Sequence, residues 1–437
     1  MNKLTTKMLW ISVPFLGLAL LLSGSCGGGE GDSGPEITGN SVIVIAIDGL
    51  RADHLGCYGG PANTPFLSAF ADEAVLFEQA WAQAPSMTPS LASLMTGLYP
   101  TTHGLVDPGD SLPPEASTLA EAAQAAGLAT AAFVQGAEGG DDYGVGQGFD
   151  TYRLGKSPGK DALAWLDDND AGDFLLLVAG WSAAEDLEHP EDMPEGFPER
   201  LSKVIASRSS DDPQTLGKED LEFARSATLK HDEHIDRIFA DLVEQLRTRG
   251  VLERATLVIV GTSGLALQEH ANLIDEGLYP ENIRVPLLIR RPGDSQAAVV
   301  KKTVELIDLM PTLVEAAGAA LPAGVQGSNL QPIMEGGGNP PYVAFSETDQ
   351  KGGIRSVVMD GMLLISSADN TELFDLNADP LAQTDVGEQY PERAEVLKSH
   401  LEAWSKMVAA ASLDPERRIE ELDDGTLEQL KSLGYIQ

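Results

Sequence analysis

Residues Ser41–Ile47 read SVIVIAI, and the polar residue Asp48 follows directly. A continuous β-branched run of this kind is typical of a strand that is buried on both faces of a parallel sheet. The loops at the carboxyl ends of such strands build the binding sites of open α/β sheets. We therefore expect Asp48 to lie at the site edge of a central strand.

Further apolar runs predict an alternation of strands and helices. The predicted strands are 128–134, 174–179 and 255–260, and the predicted helices are 65–79, 117–126 and 218–249. Such an alternation predicts an α/β fold, with a mixed, mostly parallel sheet between helices. Beyond about residue 320, prolines separate the short runs YVAFSE, IRSVVM, MLLISS and ELFDL. These runs and a helical pattern over 391–411 predict a small C-terminal α+β subdomain with an antiparallel sheet.

The composition limits the partners that the chain can take. Its 437 residues are 43% hydrophobic, which is enough for a sizeable core, and the formal net charge is −38. A surface this acidic disfavours nucleic acid, so we expect no nucleic-acid partner. Outside the N-terminal segment Cys57 is the only cysteine, so an internal disulfide within the body is excluded.

The N-terminus carries a secretory pattern of basic residues, an apolar run and small residues before Cys26. It resembles a bacterial lipoprotein signal, which implies a signal peptide over 1–25, a lipidated Cys26 and a flexible tether over 26–40. The implied partner is the membrane of the cell envelope, with the outer membrane favoured because Gly27 gives no inner-membrane retention signal. Two alternatives stay open: secretion after cleavage near Ser25, or a retained anchor helix.

Several longer motifs together resemble the sulfatase family of the alkaline-phosphatase superfamily. They include IAIDGLRADHLGCYG (45–59), PSLASLMTGLYPTTHGL (89–105) and LYPENIRVPLLIRRPG (278–293). The resemblance runs from about residue 41 to the C-terminus and implies the fold described above. The domains expected from it are a sulfatase-like α/β domain over 41–320, a C-terminal subdomain over 321–412 and a helical tail over 413–437.

The family nucleophile is a formylglycine, made from cysteine or serine in a pattern like C-x-P-S-R. Alignment on the proline and serine of this pattern places Met87 at the nucleophile and Leu91 at the arginine. A thioether can neither attack an ester nor become formylglycine. The flanking Ser86 and Thr88 are fallback nucleophiles, which a one-residue shift of the loop would require.

The resemblance also implies a divalent cation held by two sets of ligands. Asp48 matches the first carboxylate, whereas Gly49 stands where many members carry a second one. After the strand at 255–260, Thr262 and Ser263 replace an aspartate and a histidine. Neutral hydroxyls do not replace those ligands, so Asp48 is read as vestigial and no cofactor is expected. Calcium or magnesium is expected only if the chain remains a hydrolase.

Several basic residues of the motifs are still present. Arg51 and His103 are candidates for binding an anion or a substrate, although for His103 support of a turn is the favoured interpretation. Glu269-His270 matches a structural element of the family. His231 and His234 lie one turn apart on a predicted helix, where we expect a solvated face.

The joint loss of nucleophile and second metal pair predicts an inactive sulfatase-fold lipoprotein that binds or scaffolds an unknown ligand or protein partner. The alternative is an active sulfuric or phosphoric ester hydrolase with an altered nucleophile and metal site. A third interpretation makes the chain a subunit or partner of an active sulfatase.

Overall fold

The computed structural model describes residues 39–106, 110–135, 143–168, 172–180, 217–270, 277–338, 342–349, 353–414 and 425. The predicted signal peptide, nearly all of the tether and most of the predicted tail lie outside these ranges. So do 181–216 and 271–276. No helix within the described ranges has an apolar stretch long enough to cross a membrane.

The main sheet carries nine strands within the described ranges, in the order β4-β3-β5-β1-β6-β8-β2-β7, with β9 paired to β2. They are Ser41–Ile47 (β1), Val75–Trp81 (β2), Ala129–Val134 (β3), Thr151–Leu154 (β4), Phe174–Gly180 (β5), Ala255–Gly261 (β6), Arg284–Val285 (β7), Leu287–Arg290 (β8) and Ala298–Glu305 (β9). Pairing is parallel from β4 to β6, and β8 is antiparallel to both β6 and β2. The predicted mixed, mostly parallel sheet is confirmed.

Helices cover both faces of this sheet. The helices of the described residues are Pro65–Ala71 (α1), Met87–Thr96 (α2), Pro100–His103 (α3), Leu119–Ala125 (α4), Pro158–Asp168 (α5), Lys218–Thr248 (α6), Pro280–Ile283 (α7), Leu309–Ala316 (α8), Gln331–Met334 (α9) and Pro391–Ala411 (α10). Alternate residues of β1 enter two apolar clusters, one shared with α2, α4 and α8, the other with α1, α5 and α6. This explains why β1 shows no polar alternation.

The predicted helix over 65–79 is wrong in its second half. Helix α1 ends at Ala71, and the chain becomes strand β2 from Val75 to Trp81. The run VLFEQAW is rich in residues that suit a strand, and β2 is buried between β8 and β9. Periodicity alone does not separate a short buried strand from a buried helix segment, which is why the helix was extended too far.

The predicted C-terminal antiparallel sheet is confirmed. Its strands are Val343–Thr348 (β10), Ile354–Met359 (β11), Met362–Ser366 (β12) and Thr371–Asp375 (β13), paired in sequence order. Helix α10 packs its Trp404 against Phe345 of β10, with ring centroids 4.9 Å apart. Trp404 also meets Tyr99, which precedes α3, so this apolar cluster joins the C-terminal sheet to the main fold.

Candidate active site

The carboxyl ends of β5, β1 and β6 lie side by side, because Ile47 pairs with both Gly180 and Gly261. The backbone N–H of Asp48 donates to Gly180 O at 3.1 Å, and that of Thr262 donates to Ile47 O at 2.8 Å. The edge therefore brings Asp48, Thr262 and the adjacent Ser263 together. This is the position that the sequence predicted for Asp48.

Hydroxyl groups lie at the two positions where the resemblance implies a second pair of metal ligands. Ser263 Oγ donates to Asp48 Oδ1 at 2.7 Å, and Ser263 is only 2% exposed. Thr262 Oγ1 donates to the carbonyl oxygen of Ile47 at 3.1 Å and is fully buried. Both hydroxyls thus donate to acceptors of the chain itself, and one of those acceptors is the carboxylate of Asp48.

The nucleophile position lies in an apolar environment. Met87 is the first residue of α2, and Met87 and Leu91, one turn apart, are 4% and 1% exposed within the same apolar cluster. Ala46, two residues before Asp48, belongs to this cluster. The two positions where the resemblance implies a formylglycine and an arginine are therefore part of the core.

The fallback nucleophiles flank Met87. Ser86 is the N-terminal cap residue of α2, half-buried, and its side chain makes no capping hydrogen bond. Thr88 lies within the first turn and is 6% exposed. The positions of Ser86 and Thr88 do not test whether either side chain acts as a nucleophile, so that role stays a prediction.

The donor set at this edge does not fit a divalent cation. Calcium and magnesium require several oxygen ligands, with carboxylates prominent among them. In the described part of the chain no group of three or more His, Cys, Asp or Glu residues could hold a metal ion. The carboxylate of Asp48 already accepts a hydrogen bond from Ser263.

The guanidinium group of Arg51 is held by hydrogen bonds and ion pairs to residues of two nearby loops. Its guanidinium contacts both carboxylate oxygens of Asp53 at 3.0 and 2.8 Å, Glu269 at 2.5 Å and Leu265 O at 3.1 Å. Burial lowers the pKa of Arg51, but Asp53 and Glu269 raise it more, so the group stays charged. Arg51 is 3% exposed, and its anion-binding role stays a prediction.

His103 is fully buried next to α2. Its Nδ1 accepts the Leu105 N–H at 3.2 Å, and its Nε2 lies 3.0 Å from Ser93 Oγ. Burial lowers the pKa of His103 to about 3, against a hydrogen bond with the backbone of Pro89. The ring is therefore neutral near pH 7, an arrangement that suits the turn-supporting alternative. Its anion-binding role stays a prediction.

The expected solvated face at His231 and His234 is wrong. These residues are 3% and 7% exposed, and Asp232 between them is fully buried. Asp232 Oδ2 lies 2.8 Å from His54 Nδ1. One turn further, Asp236 accepts the backbone N–H groups of α1 at 2.8 and 3.0 Å and so caps that helix. The polar face of α6 therefore binds other elements of the fold.

Two family models match the chain. The model described as Sulfatase matches residues 40–172 and 160–319, and the one described as N-sulphoglucosamine sulphohydrolase, C-terminal, matches residues 269–407. The first spans more than half of the chain and includes the site edge described above. The chain belongs to the sulfatase family.

Known proteins show how far the likeness extends. The arylsulfatase of Clostridium perfringens is 23% identical over 83% of this chain and 93% of its own length. Arylsulfatase K of Xenopus laevis is 28% identical over 38% of this chain, which spans only 34% of that relative's length. The crystal structure of the phosphonate monoester hydrolase of Agrobacterium radiobacter superposes with a TM-score of 0.70 at 18% identity, covering 84% of this chain and 96% of that one. At this identity the superposition shows the fold.

Proposed function

We propose that this chain is a sulfatase-family protein without ester hydrolase activity, which acts by binding a ligand or a protein partner at the cell envelope. The observation that carries the proposal is the replacement of charge at the site edge. Ser263 donates to Asp48 at 2.7 Å where the resemblance implies a metal ligand, and Met87 is buried where it implies the nucleophile.

Each replacement removes one requirement of ester hydrolysis. A nucleophile needs a hydroxyl, thiol or similar group that can be activated by a base or a metal, and the Met87 thioether offers none. A catalytic cation must be held while it polarises the ester oxygen. The described residues supply Asp48 together with neutral hydroxyls, which suit a hydrogen-bonded pair better than a cation.

The same replacements also stabilise the fold. Carboxylates clustered without a cation would be buried, unpaired charges, each costing several kcal/mol (on the order of 3). A hydroxyl at Ser263 removes one such charge and satisfies Asp48. Methionine is flexible and fills irregular apolar gaps, which suits Met87 to the space at the start of α2. The edge therefore has the composition of a packed structural site.

Ester turnover tests the proposal against a hydrolase that uses Ser86. The purified wild type is assayed on aryl sulfates and aryl phosphates with calcium, magnesium, manganese or zinc, beside Ser86→Ala, Asp48→Asn and the matched control Met87→Leu. We expect all four proteins to hydrolyse no faster than buffer does. Turnover by the wild type that Ser86→Ala abolishes would overturn the proposal in favour of the hydrolase.

The envelope location is proposed from the resemblance of the N-terminus to a lipoprotein signal. Lipidation of Cys26 would attach the chain to a membrane through the segment that precedes the body. Expression in a bacterium fed with a labelled fatty acid tests this, with Cys26→Ala as the control. We expect label in the wild type alone, and an unlabelled wild type would contradict the anchor.

A further inference from the structure

The segment 264–270, here called the strap, follows Ser263 and lies against the site edge. A Cβ built on Gly49 would lie 4.0 Å from Leu265 Cβ, and Arg51 donates to Leu265 O at 3.1 Å. A Cβ at Gly264 would lie only 2.0 Å from Glu281 O, so a glycine is required where the strap passes α7. The strap therefore borders this side of the candidate site.

The strap is fastened by backbone hydrogen bonds along its length. The N–H groups of Gly264 and Ala266 donate to the backbone and side-chain oxygens of Asn282 at 2.7 and 2.8 Å. Arg225 of α6 donates to Leu267 O at 3.3 Å. These contacts hold the strap to the main domain from its start to its middle, and its end at His270 is held differently.

His270 joins the strap to two other elements. Its Nδ1 lies 2.6 Å from Glu281 Oε1 in α7, and its Nε2 lies 2.8 Å from the carbonyl oxygen of Ala382, beyond the last strand of the C-terminal sheet. Both partners are acceptors, so both contacts are hydrogen bonds only when each ring nitrogen carries a proton. A neutral imidazole would lose one of the two.

The backbone on both sides of this contact is strained. Gln268 has φ of 58° and Ala382 has φ of 52°, the left-handed region that side-chain-bearing residues rarely adopt. Such conformations are energetically unfavourable and persist where surrounding contacts hold them. The strap and the loop that it meets therefore both store strain next to the His270 hydrogen bonds.

The groups that face the His270 ring are mostly acidic. The carboxylates of Glu281 in α7 and Glu269 in the strap raise the pKa of the ring. The amide nitrogen of Gln383 lies 3.2 Å from His270 Nε2 and donates to it only when that nitrogen carries no proton. Tyr279 stacks on the ring at 3.7 Å, and its hydroxyl donates to Glu372 at 2.9 Å. The charge of Asp385 raises the pKa of the Tyr279 hydroxyl.

These neighbours raise the pKa of the His270 ring. Burial lowers the pKa of His270, but the hydrogen bond and the charge of Glu281 raise it more, so the net direction is upward. The Oε2 atom of Glu281 is buried and has no hydrogen-bond partner among the described residues, and His270 is the ionic partner of this carboxylate. The protonated ring is therefore the form that the site stabilises.

We propose that protonated His270 is a clasp that holds the strap closed against the C-terminal subdomain, and that the strap opens when the imidazole loses its proton. The inference goes beyond the proposed function, because the strap borders the candidate-site edge whether or not the protein hydrolyses esters. A proton-dependent clasp is fully engaged below the pKa of the free imidazole, about 6.5. It weakens as the pH rises through the higher pKa of the closed state.

Amide hydrogen exchange of the full chain from pH 6 to pH 9 tests the clasp. The reporters are the hydrogen-bonded amides of Ala266 and Leu267, corrected for the intrinsic pH dependence of exchange, with Leu364 of β12 as an internal reference. Wild type is compared with His270→Gln, which cannot take a charge, and with His400→Gln, a matched loss of a buried histidine on α10.

In the wild type we expect the opening equilibrium of the strap to rise by up to about tenfold per pH unit above the pKa of the free imidazole, while Leu364 stays unchanged. His400→Gln should behave as wild type, and His270→Gln should show weak protection at every pH. Strap protection in the wild type that does not change with pH would overturn the proposal. So would a His270→Gln protein that retains the transition.

A second measurement serves if the variant fails to fold. The ring C–H resonance of His270 in the wild type, followed by NMR against pH, should titrate above about 6.5, and a midpoint at or below that value would overturn the clasp. Neither readout involves ester chemistry. Ester turnover would therefore overturn the proposed function and leave the clasp intact, whereas pH-independent exchange would do the reverse.

Discussion

Two regions of the molecule differ in how they bury acidic groups. Where the C-terminal sheet meets the main sheet, the carboxylates of Glu305, Asp308 and Glu347 are 8% exposed or less. At the candidate site, the edge keeps Asp48 and carries neutral or apolar residues at the positions where the resemblance implies the other metal ligands and the nucleophile. The difference follows from the hydrogen-bond donors that the fold provides at each place.

These three buried carboxylates, here called the carboxylate network, each accept hydrogen bonds from other residues of the chain. Glu305 accepts the Tyr99 hydroxyl at 2.9 and 3.0 Å and the Phe345 N–H at 2.8 Å. Glu347 accepts the N–H and the hydroxyl of Thr101 at 2.7 and 2.6 Å. Asp308 accepts two backbone N–H groups, at 2.9 and 2.7 Å. Buried acids persist here because the fold satisfies them without a metal.

Burial nevertheless changes how these acids titrate. It raises the pKa of Glu305 well above its ordinary value, and the neighbouring Asp308 raises it further, against the hydrogen bonds that Glu305 accepts. Burial also raises the pKa of Asp308 to about 6 and moves that of Glu347 upward. The pKa values of the three network acids are thus all shifted toward the protonated form.

The largest effect is expected from Glu305→Leu in the carboxylate network. It would leave the buried donors of Tyr99 and Phe345 unsatisfied and lower the free energy of unfolding by about 4 kcal/mol. The matched Glu305→Gln keeps an acceptor and should cost about 1 kcal/mol. Urea unfolding curves measure both, and equal losses would contradict the view that donor satisfaction maintains this acid.

The second effect concerns Met87 at the candidate site. Met87→Asp would bury a carboxylate among apolar side chains and destabilise the protein by about 3 kcal/mol, whereas Met87→Leu should cost less than about 1.5 kcal/mol. Thermal unfolding with and without calcium measures both. A Met87→Asp protein that calcium stabilises by several degrees would show that the edge still holds a cation.

The third effect is a pH dependence at Asp308. Its pKa is about 6 in the folded protein, above its ordinary value, so the folded state binds more protons and loses stability as the pH rises from 4 to 7. Asp308→Asn cannot titrate. The free energy of unfolding of the wild type minus that of the variant should therefore fall by about 2 kcal/mol from pH 4 to pH 7. Urea unfolding at both pH values measures this, with the exposed Asp369→Asn as the control. A constant difference would contradict the raised pKa.

The smallest effect is expected from Ser263→Ala. This change removes the donor to Asp48 and should lower the free energy of unfolding by about 1 kcal/mol. Ser263→Thr keeps the hydroxyl and is the matched control. If Ser263→Ala were as stable as the wild type, the hydrogen bond between Ser263 and Asp48 would not stabilise the candidate site.

Much of the fold is predictable from the sequence because it depends on local patterns. The uninterrupted β-branched run of β1 predicts a doubly buried strand, and Pro391–Ala411 is observed as predicted. The helix over 65–79 was extended too far because Val75–Trp81 is buried through pairing with distant strands. The face at His231 and His234 was misplaced because its partners come from another part of the chain.

For the candidate site too, some features are predictable from the sequence and others are not. The position of Asp48 after a buried strand places it at the edge, and the motif alignment places Met87 at the nucleophile. The hydrogen bond from Ser263 to Asp48 joins residues that are 215 positions apart, and the contact between His270 and Ala382 spans 112. No local signal encodes such pairings, so they required the structure.

The metal content of the purified protein tests the central claim most directly. The chain is exposed to calcium, magnesium, manganese and zinc, desalted and analysed by mass spectrometry, beside Asp48→Asn. We expect the wild type to carry no stoichiometric divalent ion and to match the variant. One tightly held ion per chain that Asp48→Asn loses would contradict the account and show a rebuilt metal site.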